Sequence, residues 1–197
     1  MRDVPVADRR TTMLQAAARV IARRGVRGLR VEELAAEAGV STALIYYHFK
    51  NRTGILRATL EFINDRADRY TAERAAGAPA LDARGELVQT LLLEFQEVPE
   101  VRENSVAWGE LRASAVFDPE LREDLAKSTL VWVQDVAELL GQVYPMAGAA
   151  ALAMSAERLT ALVEGLSGRW LSGSLPLAHA RELTVGAVEA ELQRLSG

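Results

Sequence analysis

Apolar residues recur at spacings of three and four positions along nearly the whole chain, with polar residues between them. This period places apolar side chains on one face of an α-helix, whereas the strict alternation typical of a half-buried strand is absent. Glycine and proline interrupt the pattern where helices end. The pattern predicts an all-α protein of about nine helices, at about Asp8–Arg24, Val31–Ala38, Thr42–His48, Arg52–Arg74, Leu81–Val98, Val101–Ala115, Pro119–Val143, Ala147–Leu171 and Pro176–Leu195.

Residues 31–49 have the spacing of two short helices joined by a tight turn. Ala35 supplies a small residue where the helices cross, and Gly39 supplies a turn residue that tolerates a positive φ. Leu34 and Ile45 fall at positions that such a motif buries. The spacing predicts a helix-turn-helix, with a generic helical hairpin as the alternative.

The charge of the chain is unevenly distributed. The first 52 residues hold ten Lys or Arg against five Asp or Glu, and the remainder holds 13 against 22, which together give the net charge of −4. The positive field therefore coincides with the helix-turn-helix, where a polyanion would be attracted. We predict a DNA-binding domain over residues 1–52 and a second helical domain over residues 53–197.

Two stretches, LAAEAGVS at 34–41 and IYYHFKNR at 45–52, carry a specific resemblance. They resemble the second and third helices, and the start of the fourth, in the TetR family of bacterial transcriptional regulators. Together with the upstream helix ending at Gly25, the resemblance covers about residues 8–60. It implies that the second helix of the motif enters a DNA major groove. The residues that it assigns to DNA contact are Thr42, Ala43, Leu44, Tyr46, Tyr47, His48, Lys50 and Arg52.

The chemistry of these side chains suits the implied roles. Thr42 can hydrogen-bond to a base edge, and the apolar pair after it can meet a thymine methyl group. The tyrosines and His48 can hold phosphates, although a packing role for His48 is equally open. Arg52 at a helix N-terminus suits a phosphate. Arg30 departs from the family, which often has a capping Ser or Thr at this position, so we expect the second helix to lack that cap or to be capped otherwise.

The last two helices have broad apolar faces and small residues at Ala161, Gly165 and Gly168. Such faces suit a two-fold four-helix interface, as in TetR-like proteins; the alternative is that both helices pack only within their own domain. Dimerisation also follows from the expected function, because one recognition helix reads too few base pairs. We predict a homodimer formed through the last two helices.

The intervening helices are rich in large side chains, which predict the wall of a cavity for a small-molecule effector; the alternative, favoured for any one of them taken alone, is a plain core. Glu164 interrupts an apolar helix, and if buried it favours a cationic or hydrogen-bond-donating ligand. The stretch beginning Trp108-Gly-Glu-Leu-Arg resembles the C-terminal half of the BetI-like branch of the family, without identifying the ligand. The candidate lining residues are Phe95, Trp108, Leu111, Trp132, Met154 and Glu164, with Glu110 and Arg112 as further polar anchors.

Other functions find little support. The chain has no cysteine and only two histidines, and it lacks Glu-x-x-His pairs, a Walker loop and a GxGxxG motif. We therefore expect no enzyme activity, metal or cofactor, and neither a secretory signal nor a membrane span, which places the protein in the cytoplasm. The predicted function is a repressor that binds a palindromic operator as a dimer and is released by a small molecule. A DNA-binding protein without a pocket and an activator are the remaining alternatives.

Overall fold

The computed structural model describes residues 6–77 and 81–196. All regular elements in these two ranges are α-helices, nine in number, which confirms the predicted fold class. No helix in this part of the chain is long and apolar enough to cross a membrane. The helices are α1 (Val6–Gly28), α2 (Val31–Ala38), α3 (Thr42–Phe49), α4 (Arg52–Gly77), α5 (Ala83–Leu92), α6 (Pro99–Ala115), α7 (Pro119–Val143), α8 (Ala149–Leu171) and α9 (Leu177–Ser196).

The boundary between α5 and α6 differs from the prediction. The helix predicted to reach Val98 ends at Leu92, and the next begins at Pro99, two residues early. The Gln96 side chain donates its Nε2–H to the Leu93 carbonyl at 2.7 Å, so this carbonyl is satisfied outside a helix. Apolar periodicity continues through this stretch and conceals the break, whereas Pro99 fits a first helical position because that position needs no N–H.

Contacts divide the described chain into two compact units. The first comprises the described residues up to Asp68 together with Glu103–Ala126, and the second comprises Arg69–Arg102 and the described residues from Lys127 onwards. Division by compactness therefore does not coincide with the functional division predicted between residues 52 and 53. The latter stays a prediction.

The first unit is built on α1. Met13, Ala17 and Ile21 repeat at four-residue spacing on this helix and are fully buried. They share one apolar cluster with Leu34 of α2 and Ile45 of α3, and α4 and α6 contribute further members. Helices as short as α2 and α3 are marginal alone, so burial against their neighbours holds them in place.

The second unit has its own core, and within it α9 packs against both α8 and α5. A charged contact joins α8 to α9: the almost buried Glu191 carboxylate accepts from Arg158 Nε at 2.8 Å and from Arg158 Nη2 at 2.7 Å. These hydrogen bonds lower the pKa of Glu191 below its usual 4.5, against the opposing effect of burial. Apolar residues at the centre of this core include Leu87, Val136, Leu159 and Val188.

Candidate nucleic-acid interface

The turn between α2 and α3 has the left-handed backbone that the sequence predicts at Gly39, with φ 66° and ψ 35°. A Cβ here would meet nothing within 4 Å, so backbone conformation alone favours glycine. The Val40 N–H donates to the Ala35 carbonyl at 3.0 Å and closes α2. Ser41 caps α3, its Oγ accepting from the Leu44 N–H at 3.2 Å. The crossing of the two helices is therefore set locally.

One face of α3 is presented to solvent. Thr42, Ala43, Tyr46 and Tyr47 are all exposed, the tyrosines by 50% and 79%. Ile45, on the opposite face, is fully buried in the first core. The exposed face of α3 therefore carries polar groups and two adjacent tyrosines. Adjacent exposed aromatic side chains are typical of a surface that binds a partner.

Two predicted contact residues lie at the edge of this face. Leu44 is half-buried and packs against the first core, although the sequence placed it away from the core. The His48 ring is half-buried, with its centroid 5.3 Å from that of Tyr47 and 6.1 Å from that of Phe49. Packing and DNA contact are both compatible with His48 in this position.

The junction of α3 and α4 is tight. Lys50 is exposed and has φ 64° and ψ −53°, the angles of a γ-turn, which the Asn51 N–H closes by donating to the Phe49 carbonyl at 2.8 Å. Asn51 caps α4, its Oδ1 accepting from the Gly54 N–H at 2.7 Å. A Cβ on Gly54 would lie 2.1 Å from the Phe49 carbonyl oxygen, so only glycine permits this approach. Apolar spacing does not single out Gly54, although an Asn three residues before it is a helix-start signal.

Arg52 has a structural contact besides its predicted role. Its Nη2–H donates to the Val26 carbonyl at 2.6 Å, which ties the start of α4 to the last turn of α1. The residue remains exposed, and a guanidinium has five N–H donors, so other donors can still meet a phosphate. The position of Arg52 is compatible with DNA contact but does not test it.

Three basic residues of α1 pair with acids of α2. Glu37 accepts from Arg19 Nε at 2.8 Å and also from Arg23, and Arg24 lies 2.7 Å from Glu33. Hydrogen bonds from Arg19 and Arg23 hold the pKa of Glu37 below its usual value. These pairs orient α2 on α1, and they neutralise part of the charge that the sequence count assigns to this region.

Other basic groups flank the C-terminal end of α3. The Arg10 guanidinium lies 5.7 Å from the centroid of the Phe49 ring. It lines a hollow of about 260 Å³ together with Lys50, Arg57 and the acidic Glu61. Positive side chains from α1, α4 and the intervening loop therefore gather beside the exposed face of α3.

Four of the six predicted effector-binding residues belong to two different cores, and the other two belong to neither. Leu111 is fully buried in the first core, with Trp108 packed against it. Phe95 is fully buried in the second core, where Trp132 is half-buried. Two more lie on α8: Glu164 is half-buried, and Met154 is 57% exposed. The assignment of these residues to an effector site stays a prediction.

A groove of about 510 Å³ runs along α5 and α9 in the second unit. An ion pair between Arg84 and Glu189 lies in it, and none of the six predicted effector-binding residues is among the described residues that line it. Over residues 6–77 and 81–196, no group of three or more His, Asp or Glu side chains is placed to hold a metal ion.

The fold and the exposed face of α3 define a helix-turn-helix DNA-binding regulator. Residues 13–59 match the family model for bacterial regulatory proteins of the tetR family, and residues 83–193 match the model for the C-terminal domain of BetI-type transcriptional repressors. The chain therefore belongs to the TetR family of transcriptional regulators, with a BetI-type C-terminal domain. Both resemblances drawn from the sequence are confirmed.

Individual relatives agree with this assignment and are transcriptional regulators rather than enzymes. The regulator ArpR of Pseudomonas putida is 27% identical over 178 residues, covering 82% of this chain and 80% of the relative. BetI of Burkholderia cenocepacia is 25% identical over 168 residues, covering 85% of this chain and 82% of the relative. A TetR-family regulator from Rhodococcus sp. is 45% identical with a TM-score of 0.84, covering 95% of this chain and 100% of that one. A regulator from Saccharomonospora viridis, solved in complex with choline, is 26% identical with a TM-score of 0.78, covering 94% and 97%.

Proposed function

We propose that this protein is a homodimeric repressor that binds a palindromic operator in double-stranded DNA and leaves it when a small molecule binds. The exposed face of α3 is the observation that carries the DNA-binding role. Because the partner is the bacterial chromosome, the protein works in the cytoplasm.

The side chains on that face divide by their chemistry. Thr42 can accept from or donate to a base edge, and Ala43 can contact a thymine methyl group. Tyr46, Tyr47 and Lys50 offer donors for phosphate oxygens, which fix the register of α3 on the duplex. Few of these groups make strong base hydrogen bonds, so phosphate contacts and DNA shape contribute much of the binding.

The experiment is a selection of duplexes from a randomised library by the full chain, followed by affinity measurements on the selected duplex at several salt concentrations. Lys50→Gln is expected to reduce the magnitude of the salt slope by about one per protomer, because one phosphate contact is lost. Arg69→Gln, an equal charge change in the second unit, is the matched control and leaves the slope unchanged. Tyr47→Phe keeps the ring and tests the hydroxyl alone.

Lys50 is a sharper probe than Arg52, because losing Arg52 also breaks its bond to the Val26 carbonyl. Selection of a short palindrome supports the proposal. Failure to select any sequence, or equal salt slopes for Lys50→Gln and Arg69→Gln, contradicts it.

Dimerisation is supported by apolar surface that remains on α8 and α9. The broad stripes of these helices, represented by Leu159 and Val188, are buried within their own unit, so packing inside the unit explains them. A separate face stays open: Met154 and Leu162 on α8 and Leu183 on α9 are 57%, 36% and 40% exposed. Exposed apolar side chains on two packed helices suit a partner pair of helices.

Small residues on the same helices allow close approach. Gly165 and Gly168 of α8 and Gly186 of α9 are exposed, and a Cβ on any of them would meet nothing within 4 Å. Gly165→Arg is expected to convert the dimer to a monomer in sedimentation velocity at micromolar concentration. Gly109→Arg, also at an exposed helical glycine with open space, is the control and stays dimeric. A dimeric Gly165→Arg variant contradicts this interface.

The effector site is proposed in the second unit, where aromatic and acidic groups meet. The Arg102 guanidinium lies 4.9 Å from the Trp170 ring centroid, and the Phe95 ring lies 6.2 Å from that of Trp170. Ser167, on the helix of Trp170, donates its hydroxyl to Glu94 Oε1 at 2.5 Å. Because the Trp170 ring already holds a guanidinium, an organic cation that displaces Arg102 suits this site, and the Glu94 carboxylate and the choline complex of the Saccharomonospora viridis relative support that class of ligand.

The test titrates choline and its neutral analogue 3,3-dimethylbutan-1-ol into the protein and then into its complex with the selected duplex. Choline is expected to bind and to weaken DNA binding, because a ligand that prefers one conformation shifts the population towards it. The neutral analogue should bind weakly. Glu94→Gln is expected to weaken choline binding, with exposed Glu97→Gln as the charge-matched control. Equal binding of both compounds, or choline binding that leaves DNA affinity unchanged, contradicts this part of the proposal.

A further inference from the structure

The first helix contains a break beside the DNA-binding motif. Gly25 has φ 70° and ψ 171°, which is not helical, inside an otherwise continuous α1. Helical hydrogen bonding resumes for three residues, and α2 begins at Val31. The geometry of this break therefore helps to set where α2, and with it α3, begins.

A carboxylate from α6 is hydrogen-bonded at the break. Glu110 Oε2 accepts from the Val26 N–H at 3.1 Å, a contact between residues 84 positions apart. A Cβ on Gly25 would lie 2.7 Å from the same oxygen, so the glycine leaves the space that the carboxylate needs. No pattern in the sequence joins Glu110 to the last turn of α1.

The carbonyl of the same residue is held from the other side. Val26 O accepts from Arg52 Nη2 at 2.6 Å and from the Leu29 N–H at 3.2 Å. The side chains of Val26 and Leu29 are each only 3% exposed in the first core. Both polar groups of one buried residue are thus bonded to other elements: the N–H to α6, and the carbonyl to α4 and to the loop before α2.

We propose that Glu110 is a positioning residue for DNA recognition, which holds the α1 break through the Val26 N–H and so fixes the orientation of α2 and α3. This inference rests on the proposed DNA-binding function. Without an acceptor at Glu110, the Val26 N–H is an unsatisfied donor at a buried position, and the last turn of α1 relaxes to find another partner. Because α2 packs on α1 and α3 packs on α2, the recognition helix then occupies a wider range of orientations.

Three variants at one position separate the hydrogen bond from the charge. Glu110→Gln and Glu110→Ala remove the same negative charge, but only the glutamine keeps an acceptor at the right reach. Glu110→Asp keeps the charge and shortens the reach by one methylene. On the duplex that the wild-type chain selects, we expect Glu110→Gln to bind within roughly twofold of wild type. We expect Glu110→Ala and Glu110→Asp to bind roughly five- to tenfold more weakly, the scale of one lost hydrogen bond.

Two further readouts distinguish positioning from plain stability. The salt slope should be the same for all variants, because the number of phosphate contacts is unchanged. Hydrogen exchange at the Val26 amide should accelerate in Glu110→Ala and Glu110→Asp but not in Glu110→Gln. DNA affinities are measured well below each variant's unfolding temperature, so that every variant is fully folded. Under these conditions, a contact that only stabilises the fold would leave the DNA affinities of the variants equal.

Equal affinities for Glu110→Ala and Glu110→Gln, with both folded, overturn the inference. If Glu110→Ala does not fold, the comparison passes to the other two variants, and binding by Glu110→Asp as tight as by Glu110→Gln overturns it. A wild-type chain that selects no duplex refutes the proposed function itself, whereas selection followed by equal affinities refutes this inference alone.

Discussion

The second helix begins without a side-chain cap, and one substitution can supply it. Arg30 occupies the N-cap position of α2 with φ −103° and ψ 151°, and its side chain makes no capping hydrogen bond. Ser41 occupies the same position of α3 with φ −79° and ψ 152°, and its hydroxyl accepts from the Leu44 N–H. The extended backbone that a cap requires is thus already present at Arg30, and only the acceptor is missing.

The size of the effect follows from this comparison. In Arg30→Ser, the hydroxyl is expected to accept from the Glu33 N–H, three residues on, as in α3. Exchanging a capping Ser for Ala typically costs about 1 kcal/mol, so Arg30→Ser should exceed Arg30→Ala in stability by about that amount. The Glu33 carboxylate is engaged with Arg24 at 2.7 Å, so a reciprocal capping box adds little. For a chain of this size, 1 kcal/mol corresponds to a rise in Tm of about 2–4 °C.

The assay is thermal unfolding followed by circular dichroism, at one protomer concentration because the proposed dimerisation would make Tm concentration-dependent. Arg30→Ala removes the same charge as Arg30→Ser and is therefore the matched control. Ser41→Ala should lose about 1 kcal/mol by the same reasoning. The two Arg30 variants should bind the selected duplex equally, since both lack the same cation. A Tm for Arg30→Ser no higher than for Arg30→Ala would refute the reasoning.

Two further predictions concern other parts of the structure. Gly25→Ala should destabilise the protein by more than about 1 kcal/mol in urea unfolding, because its φ is unfavourable for alanine and its Cβ meets Glu110. Gly109→Ala, inside α6 with open space around it, should stabilise by about 0.5–1 kcal/mol; equal effects would contradict the strain at Gly25. The pair of Glu191 with Arg158 contributes stability above pH 4.5 that is lost as the pH falls through the lowered pKa of Glu191. Wild type should therefore exceed Glu191→Gln in stability at neutral pH, with the difference shrinking below pH 4.5; a pH-independent difference would contradict the role of the charge.

Local rules in the sequence were sufficient for the recognition motif. The predicted range of α2 agrees with the structure, and α3 ends one residue beyond its predicted end. The turn at Gly39 has the predicted positive φ, because a left-handed turn is favoured by the residue that occupies it. The exposure of Tyr47 also follows from the helical period alone. Ile45 and Phe49, four residues apart, lie on the buried face of α3, and Tyr47 lies between them on the other side. The sequence left two alternatives for the start of α2, and the structure has the one without a side-chain cap. The reason is local, because an arginine side chain has no acceptor for a backbone N–H.

Contacts between segments that are distant in the sequence could not be predicted from local patterns. Periodicity identified Phe95 and Leu111 as apolar and buried, yet only the fold assigns them to different cores. The break at the end of α5 depends on hydrogen bonds that a side chain forms in competition with the helix, which apolar spacing does not register.

The roles of Glu110 and Arg52 depend on Val26, in the last turn of α1, which meets α6 and α4 only after folding. Which segments are helical and which faces are apolar could be predicted from the sequence, because both follow from spacing along one chain. Which polar atoms meet depends on the fold, because a hydrogen bond across 84 residues requires two helices to lie side by side in space, and no local spacing encodes that.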